Sequence, residues 1–327
     1  MSVDAEILSA MRQAGDAGAG GTDLAQRLGM SRAAVWYRIE ELRRLGYEIE
    51  ASPHHGYRLL NTPDLLHADD LLSRLGDTVR VIGRDIQVFE ETTSTNDVVD
   101  RLARDGVREG MVVFAESQGK GRGRLGRKWL SPSKKGLWFS VLLRPLIPPQ
   151  AATQVTVAAA TALARAIHGQ SQLAVAIKWP NDILIGGRKT AGILTELHAE
   201  LDCIKHLILG IGLDVNQVQS DFPVELRDTA TSLRIEAGRP LDRASLAGAV
   251  LQELDADYGR ICAGGFGSVA DEWERQCMTL GKDVRIQIGQ RIVQGRAESL
   301  DDDGALLVRT QHGRLERIVG GDVTLEK

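Results

Sequence analysis

The chain has 327 residues, more than one ordinary domain holds, so the sequence predicts two or three domains. Hydrophobic residues make up 43% and charged residues 26%, which is the balance of a globular protein, and no apolar run is long enough to predict a membrane span. The formal net charge of −4 disfavours a general nucleic-acid coat, although a net value can hide a local basic patch.

The N-terminal segment and the cysteines both predict a cytoplasmic protein. The first residues lack a basic stretch followed by an apolar core, so we expect no signal peptide. Cys203, Cys262 and Cys277 lie far apart and form neither a C-x-x-C pair nor a disulfide framework. A reducing compartment without membrane attachment is therefore expected.

Residues 1–62 read as short helical segments followed by a hairpin. Thr22 is expected to cap the second helix, and Ser31 the third, whose apolar residues recur at helical spacing. Two strands flank a turn at residues 53–56. This order is typical of a winged helix-turn-helix, so residues 1–62 are predicted to be a DNA-binding domain.

Residues 63–80 are predicted to form a linker with a short helix. Two segments with different secondary-structure patterns follow it. Residues 81–275 alternate strand-like and helix-like segments, which predicts a central α/β domain with a mixed sheet. Residues 276–327 contain short alternating strands separated by turns, which predicts a small SH3-like β-barrel. The predicted fold class is therefore multidomain α+β.

The strongest chemical signal is a glycine- and arginine-rich loop at residues 121–129. It contains the G-x-G-x-x-G spacing of dinucleotide-binding loops, but basic residues and a proline follow where that fold needs a helix. Residues 117–135 hold seven basic residues and no acid, so unpaired cations predict a loop that is mobile when empty and orders around an anion. For this segment alone, a solvated or nucleic-acid-binding loop is an equally good interpretation.

Three further motifs place polar side chains at the ends of predicted elements. Ser94, Thr95 and Asn96 begin a helix, where an N-cap is the simplest role. Residues 178–182, Lys-Trp-Pro-Asn-Asp, end a strand, and the proline there restricts the chain. Lys189 precedes another strand and, taken singly, is a surface lysine.

In combination, these motifs resemble the ordered motif set of biotin–protein ligases, and the N-terminal domain makes the chain similar to the subgroup that also represses biotin-synthesis genes. The resemblance covers nearly the whole chain, with one departure: Asp214 stands where family members often carry asparagine. The matching segments are Ser94-Thr95-Asn96, Gln118, Gly121 to Trp129, Lys178 to Asp182, Lys189 to Leu194, and Gly210 to Asn216.

The resemblance implies an ATP-dependent ligase that forms biotinyl-5′-AMP and transfers biotin to a lysine of a biotin carboxyl carrier protein. It also implies Mg²⁺, operator DNA as a partner and a homodimer in the adenylate-bound state. Two alternatives stay open: a lipoate- or octanoate-type protein acyl ligase, and a transcription factor that only senses biotin. For the N-terminal domain, a module kept for packing or protein contact is the less favoured alternative to DNA binding.

The resemblance assigns site residues to four tasks. Catalysis falls to Lys189, Arg122 and Arg124. Biotin binding falls to Ser94, Thr95, Asn96, Gln118, Arg122, Gly123, Arg124 and Lys189. Binding of ATP or the adenylate falls to Arg124, Arg127, Trp129, Asn181, Asp182 and Lys189, with Asp182 also the metal ligand. DNA binding falls to Thr22, Ser31, Arg32, Ala34 and Arg38.

Overall fold

The computed structural model describes residues 2–325, which form two compact units. The first comprises residues 2–78 and 242–248, and the second comprises residues 79–241 and 249–325. None of the helices in the described residues combines the length and apolar character needed to cross a bilayer. The domain boundaries predicted at residues 62, 80 and 275 stay predictions.

The first unit contains a helix-turn-helix followed by a β-hairpin. A three-residue turn separates its second and third helices, and the two strands pair antiparallel as the wing. Buried apolar side chains such as Ile7, Val35 and Ile39 form the core between the helices. The elements are α1 (Val3–Ala14), α2 (Gly21–Leu28), α3 (Arg32–Arg44), β1 (Glu48–Ser52), β2 (Gly56–Asn61) and α4 (Ala68–Leu75).

The structure agrees with the N-cap predicted for α3 but not with the one predicted for α2. The Ser31 side chain accepts a hydrogen bond from the backbone N–H of Ala34 at 3.1 Å, as predicted. The prediction that Thr22 caps α2 is wrong, because α2 starts at Gly21, two residues earlier than a cap at Thr22 requires, and Gly20 is its N-cap. Backbone pairing of Ala19 with Tyr57 on the wing positions this start, and that long-range contact is invisible in the sequence.

A seven-stranded mixed sheet forms the centre of the second unit, as predicted. Its strand order is β3-β4-β5-β9-β8-β7-β6; β3 and β4 are parallel, and the other neighbours are antiparallel. The strands are β3 (Asp85–Thr92), β4 (Met111–Gln118), β5 (Gly136–Leu143), β6 (Val175–Lys178), β7 (Asp182–Ile185), β8 (Arg188–Ala199) and β9 (Ile204–Asp214).

Helices cover this sheet and bury its apolar side chains. Val98 and Val99 of the helix after β3 pack on Val113 and Ile208 of the sheet, which places the start of that helix beside the end of β4. The alanine-rich helix in this region is largely buried. The helices are α5 (Thr95–Arg104), α6 (Thr153–Ser171), α7 (Leu233–Ala237), α8 (Arg243–Cys262) and α9 (Phe266–Gln276).

The C-terminal segment forms a separate five-stranded antiparallel sheet in the order β13-β12-β11-β10-β14. The last strand was not expected from the sequence, because it has only four residues and follows two glycines. Closure of this sheet into a barrel stays a prediction. The strands are β10 (Asp283–Ile288), β11 (Arg291–Leu300), β12 (Leu306–Thr310), β13 (Leu315–Ile318) and β14 (Asp322–Leu325).

Asp255 on α8 fixes the chain that enters β3, and its loss should destabilise the second unit. Its buried carboxylate accepts hydrogen bonds from the backbone N–H groups of residues 80, 81 and 82 at 2.7–2.8 Å. Asp255→Ala leaves these donors without a charged acceptor and should cost about 3 kcal/mol in the free energy of unfolding. Urea titration of the full chain measures this; a midpoint equal to that of Asp271→Ala, an exposed position on α9, would contradict it.

Candidate active site

A cavity of about 510 Å³ in the second unit brings the predicted motifs together. This volume suits a small-molecule ligand. Ser94, Thr95 and Gln118 line it together with the 121–129 loop, residues 178–182 and Lys189. Segments separated by nearly a hundred residues therefore meet at one site, as the sequence resemblance implied.

A closed network of amide and hydroxyl groups forms one part of the cavity wall. The Gln118 Oε1 accepts hydrogen bonds from the backbone N–H of Thr95 at 2.9 Å and from its hydroxyl at 3.2 Å. The Gln118 Nε2 donates to the Ser131 hydroxyl at 2.9 Å, and the Ser140 Oγ lies 2.7 Å from Thr95 Oγ1. These bonds fix the orientation of the Gln118 amide. Ser94 is the N-cap of α5, but its side chain makes no capping bond and lines the cavity.

Asn96 differs from its neighbours because its side chain turns away from the cavity. Its Nδ2 donates to Glu196 Oε2 at 2.7 Å, and its Oδ1 accepts from the Ser140 hydroxyl. A Cβ at Gly210 would overlap this amide, so glycine at that position allows α5 to approach β9. In the structure Asn96 therefore anchors α5 and is absent from the residues that line the cavity.

Arg122, in the glycine-rich loop, is held by two carboxylates. Its Nε and Nη2 donate to the two oxygens of Glu196 at 3.0 and 3.1 Å, and its Nη1 donates to Asp97 at 2.5 Å. The hydrogen bond to Glu196 is the main reason that the pKa of Arg122 is raised above its ordinary value. This part of the loop is tied to α5 and β8 before any anion is present.

The other two loop arginines also have polar partners, which corrects the expectation of unpaired cations. Arg124 donates to Asn181 Oδ1 at 2.9 Å and to the Gly321 carbonyl at 3.4 Å. Arg127 forms an ion pair with Asp322. Burial lowers the pKa of Arg124 below its ordinary value. The loop itself contains no acid, so these partners come from distant segments that the sequence does not place beside it.

Trp129 lies against the floor of the cavity, where glycine leaves room for its ring. A Cβ at Gly212 would overlap the indole, and one at Gly192 would crowd it. The Lys189 Nζ lies 5.3 Å from the centre of the ring, within the range of a cation–π contact. The Trp129 Nε1 is buried without a hydrogen-bond partner. The glycines of β8 and β9 thus serve as the surface on which the aromatic ring rests.

Lys189 and Asp182 form the charged centre of the cavity. The Lys189 Nζ lies 2.6 Å from Asp182 Oδ1, and both side chains are partly exposed to the cavity. Asn181, beside Asp182, uses both ends of its amide, because its Nδ2 donates to the Ile193 carbonyl at 2.9 Å and its Oδ1 accepts from Arg124. Lys189 is the ammonium group best placed to neutralise an anion in the cavity.

Asp214 lies at the end of β9 and is fully buried. Burial raises the pKa of this carboxyl well above its ordinary value, although Lys189 and a hydrogen bond from Gln217 act in the opposite direction. The raised pKa favours the neutral form. Burial therefore opposes the negative charge that an aspartate would otherwise bring to this position.

Sequence reasoning missed several residues that hold the site in place. Glu196 orients Asn96 and Arg122, while Ser131 and Ser140 orient Gln118 and Thr95. Glu196 lies two residues beyond a recognised motif, and alternation along β8 was the only available signal. The serines belong to segments that become neighbours only through sheet pairing.

Family profiles match three parts of the chain in order. These are the HTH domain over residues 5–58, the biotin/lipoate A/B protein ligase family over residues 88–214, and the biotin protein ligase C terminal domain over residues 279–325. The chain belongs to the biotin/lipoate A/B protein ligase family. The family resemblance carried by the sequence motifs is thereby confirmed.

Within this family, the chain is similar to proteins that combine two activities in their names. The bifunctional ligase/repressor BirA of Bacillus subtilis is 39% identical over 98% of this chain and 98% of that protein. The protein of the same name from Escherichia coli is 31% identical over 93% of this chain and 92% of that protein. A solved structure of the biotin protein ligase from Aquifex aeolicus in complex with biotin and ATP matches with a TM-score of 0.64 and 30% identity, over 75% of this chain and 99% of that one.

Removal of the Glu196 charge should loosen the glycine-rich loop. Glu196→Gln keeps an acceptor but weakens the ion pair with Arg122, so the loop should open more often and trypsin should cleave it about fivefold faster, as expected from about 1 kcal/mol. Glu200→Gln, which removes an exposed ion pair with Lys205 just beyond β8, is the matched control. Equal cleavage of the two variants would show that Glu196 does not hold the loop.

Proposed function

We propose that this protein activates biotin with ATP, transfers it to a lysine of a biotin carboxyl carrier protein, and represses transcription when it carries the adenylate. The observation that carries the ligase proposal is the position of Lys189. It lies in one cavity together with the oriented Gln118–Thr95 network and the arginine loop. The named activities of the similar proteins support the same function.

The hydroxyl and amide groups would bind the ureido ring of biotin. That ring offers two N–H donors and one carbonyl acceptor, and it needs matching partners in a sheltered pocket. Ser94, Thr95 and Gln118 provide both kinds, and Gly123 lets the loop backbone lie along the ligand. Arg122 would retain the ligand by holding the loop closed over it, while Asn96 positions the helix that carries Ser94 and Thr95.

Adenylation joins two anions, so it needs cations at the reacting centre. The biotin carboxylate attacks the α-phosphorus of ATP, and pyrophosphate leaves. Lys189 and Arg124 would stabilise the charge on the reacting oxygens, and Arg127 would exchange Asp322 for phosphate. Trp129 offers its ring to the adenine base, and Asn181 holds Arg124 in place.

The charged centre also fits a magnesium ion, through one carboxylate. The Asp182 oxygen that is paired with Lys189 is a hard ligand that lines the cavity. Asn181 has no amide group to spare, so phosphate oxygens and water would supply the remaining ligands. When bound, Mg²⁺ neutralises phosphate charge. Asp182 would hold it beside Lys189.

The second half-reaction needs no covalent bond to the enzyme. The ε-amine of the carrier lysine attacks the acyl carbon of biotinyl-AMP, an amide bond forms, and AMP leaves with the bonding electron pair. Lys189 would stabilise the charge on the departing phosphate. The arginine loop would keep water away from the anhydride until the carrier arrives. The cysteines of the described residues are free, which fits the proposed cytoplasmic location.

Two enzyme classes and one sensor class remain distinguishable by experiment. A lipoate-type ligase would exchange pyrophosphate into ATP with lipoate or octanoate, and a biotin sensor would exchange it with neither. We expect exchange that depends on biotin, because Lys189, Asp182 and the complete arginine loop are all present at the site. Exchange with lipoate alone, or none with any acid, would overturn the proposal.

For repression, the exposed surface of α3 would enter the major groove of operator DNA. Arg32 is exposed at the start of this helix, and Trp36 and Tyr37 are more than half exposed beside it. Arg38 is less available, because it donates two hydrogen bonds to Asp4 at 2.6–2.7 Å. Ser31 and Ala34 form the helix cap, and Thr22 lies in the first turn of α2. They would support the interface or contact the DNA backbone.

A homodimer would join two such helices on one operator. The helix-turn-helix of one chain reads one half-site, and a second copy makes the next contact intramolecular. We propose that closure of the arginine loop over biotinyl-AMP changes the surface of the second unit and favours this dimer. DNA would then tighten adenylate binding by the same factor.

Lys189→Ala should lower biotin-dependent pyrophosphate exchange about a hundredfold, because one charge-assisted contact at the reacting centre is lost. Circular dichroism should show an unchanged fold, since the side chain is partly exposed. Lys205→Ala, which removes a surface lysine paired with Glu200, should exchange at the wild-type rate. A Lys189→Ala rate within twofold of wild type would remove this residue from the mechanism.

Arg32→Ala should weaken the adenylate-loaded protein on DNA upstream of biotin-synthesis genes about tenfold, as expected for one cationic contact. Band-shift titration with apo, biotin-bound and biotinyl-AMP-bound protein makes the measurement. The control is Arg44→Ala at the other end of α3, where the arginine pairs with Glu41. Equal affinity of all three ligand states would refute the adenylate switch, and equal loss in both variants would refute the assignment of Arg32.

A further inference from the structure

Two histidines and an aspartate form a cluster on the second unit that takes no part in the cavity. Asp100 lies on α5, and His198 and His206 lie opposite each other on the paired strands β8 and β9. One ligand atom from each of the three residues lies within 4.8 Å of the other two. None of these residues lines the cavity described above. The Asp100–His198–His206 cluster therefore needs an explanation of its own.

The distances in the cluster are regular. Asp100 Oδ1 lies 3.4 Å from His198 Nε2 and 3.5 Å from His206 Nε2, and the two imidazole rings stack with their centres 4.3 Å apart. Zinc bonds to nitrogen and carboxylate oxygen are each about 2.1 Å long, so tetrahedral geometry separates neighbouring ligand atoms by about 3.4 Å. The two distances from the carboxylate oxygen to the imidazole nitrogens thus already match the spacing of a tetrahedral site.

Two of these atoms are buried and have no hydrogen-bond partner outside the cluster, which leaves them available to a ligand. Asp100 Oδ1 and His206 Nε2 are inaccessible to solvent, and their polar contacts are the 3.4–3.5 Å distances within the cluster. The His206 side chain is only 10% exposed. Buried polar atoms without partners are costly, and they are rare unless an unseen water or ion satisfies them. Here the two atoms lie 3.5 Å from each other.

We propose that Asp100, His198 and His206 bind one divalent transition-metal ion of the zinc class, with water as the fourth ligand. The contact that Arg104 makes with Asp100 suits this role. Arg104 donates to the other oxygen of Asp100, which leaves Oδ1 directed at the ion.

Metal binding requires one movement that the structure permits. The stacked rings must tilt apart so that both Nε2 lone pairs face the ion. His198 has a side chain that is 42% exposed, so it can turn, whereas His206 stays in place. The ion would then tie α5 to β8 and β9. Asn96 lies one helical turn before Asp100, and Glu196 lies two residues before His198, so the same three elements carry the contacts that anchor the arginine loop.

Zinc titration of the full chain tests the site directly. The protein should carry no histidine tag and should be stripped of metal. The titration buffer should contain millimolar Mg²⁺ so that oxygen-only sites are filled. We expect one equivalent of Zn²⁺ to bind and to raise the midpoint of thermal unfolding. Co²⁺ in its place should give the visible absorption of a tetrahedral ion with nitrogen and oxygen ligands.

Variants of the ligands decide the assignment. Because His206 is buried, its replacement risks the fold, so His198→Gln and Asp100→Asn carry the test. Both should weaken zinc binding about tenfold or more. His312→Gln, in the exposed turn before β13, should bind as wild type does. Absence of one-to-one binding by the wild type, or wild-type affinity in both variants, would overturn the proposal.

Discussion

The carboxylate of Glu196 accepts hydrogen bonds from Asn96 and Arg122 and so joins three segments at one point. It orients the helix that presents Ser94 and Thr95, and it holds the arginine loop over the same cavity. Both contacts depend on the Glu196 charge, which is only partly exposed, so solvent weakens them without abolishing them. An ion pair of this strength can hold a loop and still release it when substrates exchange.

The second constraint is steric and comes from glycine on the central strands. Gly210 and Gly212 lie two residues apart on β9, so both face the same side of the sheet. One accommodates the Asn96 amide, and the other accommodates the Trp129 indole. Any side chain at these positions would displace α5 or the aromatic ring. Glycine on β9 therefore sets how closely both elements approach the sheet, and with it the dimensions of the cavity.

Electrostatic pairing at the site could not be predicted from local sequence. The arginine loop contains no acid over residues 117–135, yet Arg122 and Arg127 each contact a carboxylate from another segment. Residues of other segments, and not the loop itself, therefore supply the carboxylates that hold the basic loop. The same limit applies to Asp214, whose raised pKa follows from burial and not from any feature of its neighbours along the chain.

The sequence by itself determined the order of domains, the helix-turn-helix, the mixed central sheet and the motifs that line the cavity. Hydrophobic periodicity, caps such as Ser31 and the residue types of the motifs are local, so they can be read along the chain. Tertiary structure alone decided the partners: Glu196 with Arg122, Lys189 with Asp182, and His198 with His206 beside Asp100. It also decided the start of α2, through Ala19 and the wing. These contacts depend on strand pairing between distant residues, and local spacing carries no record of that pairing.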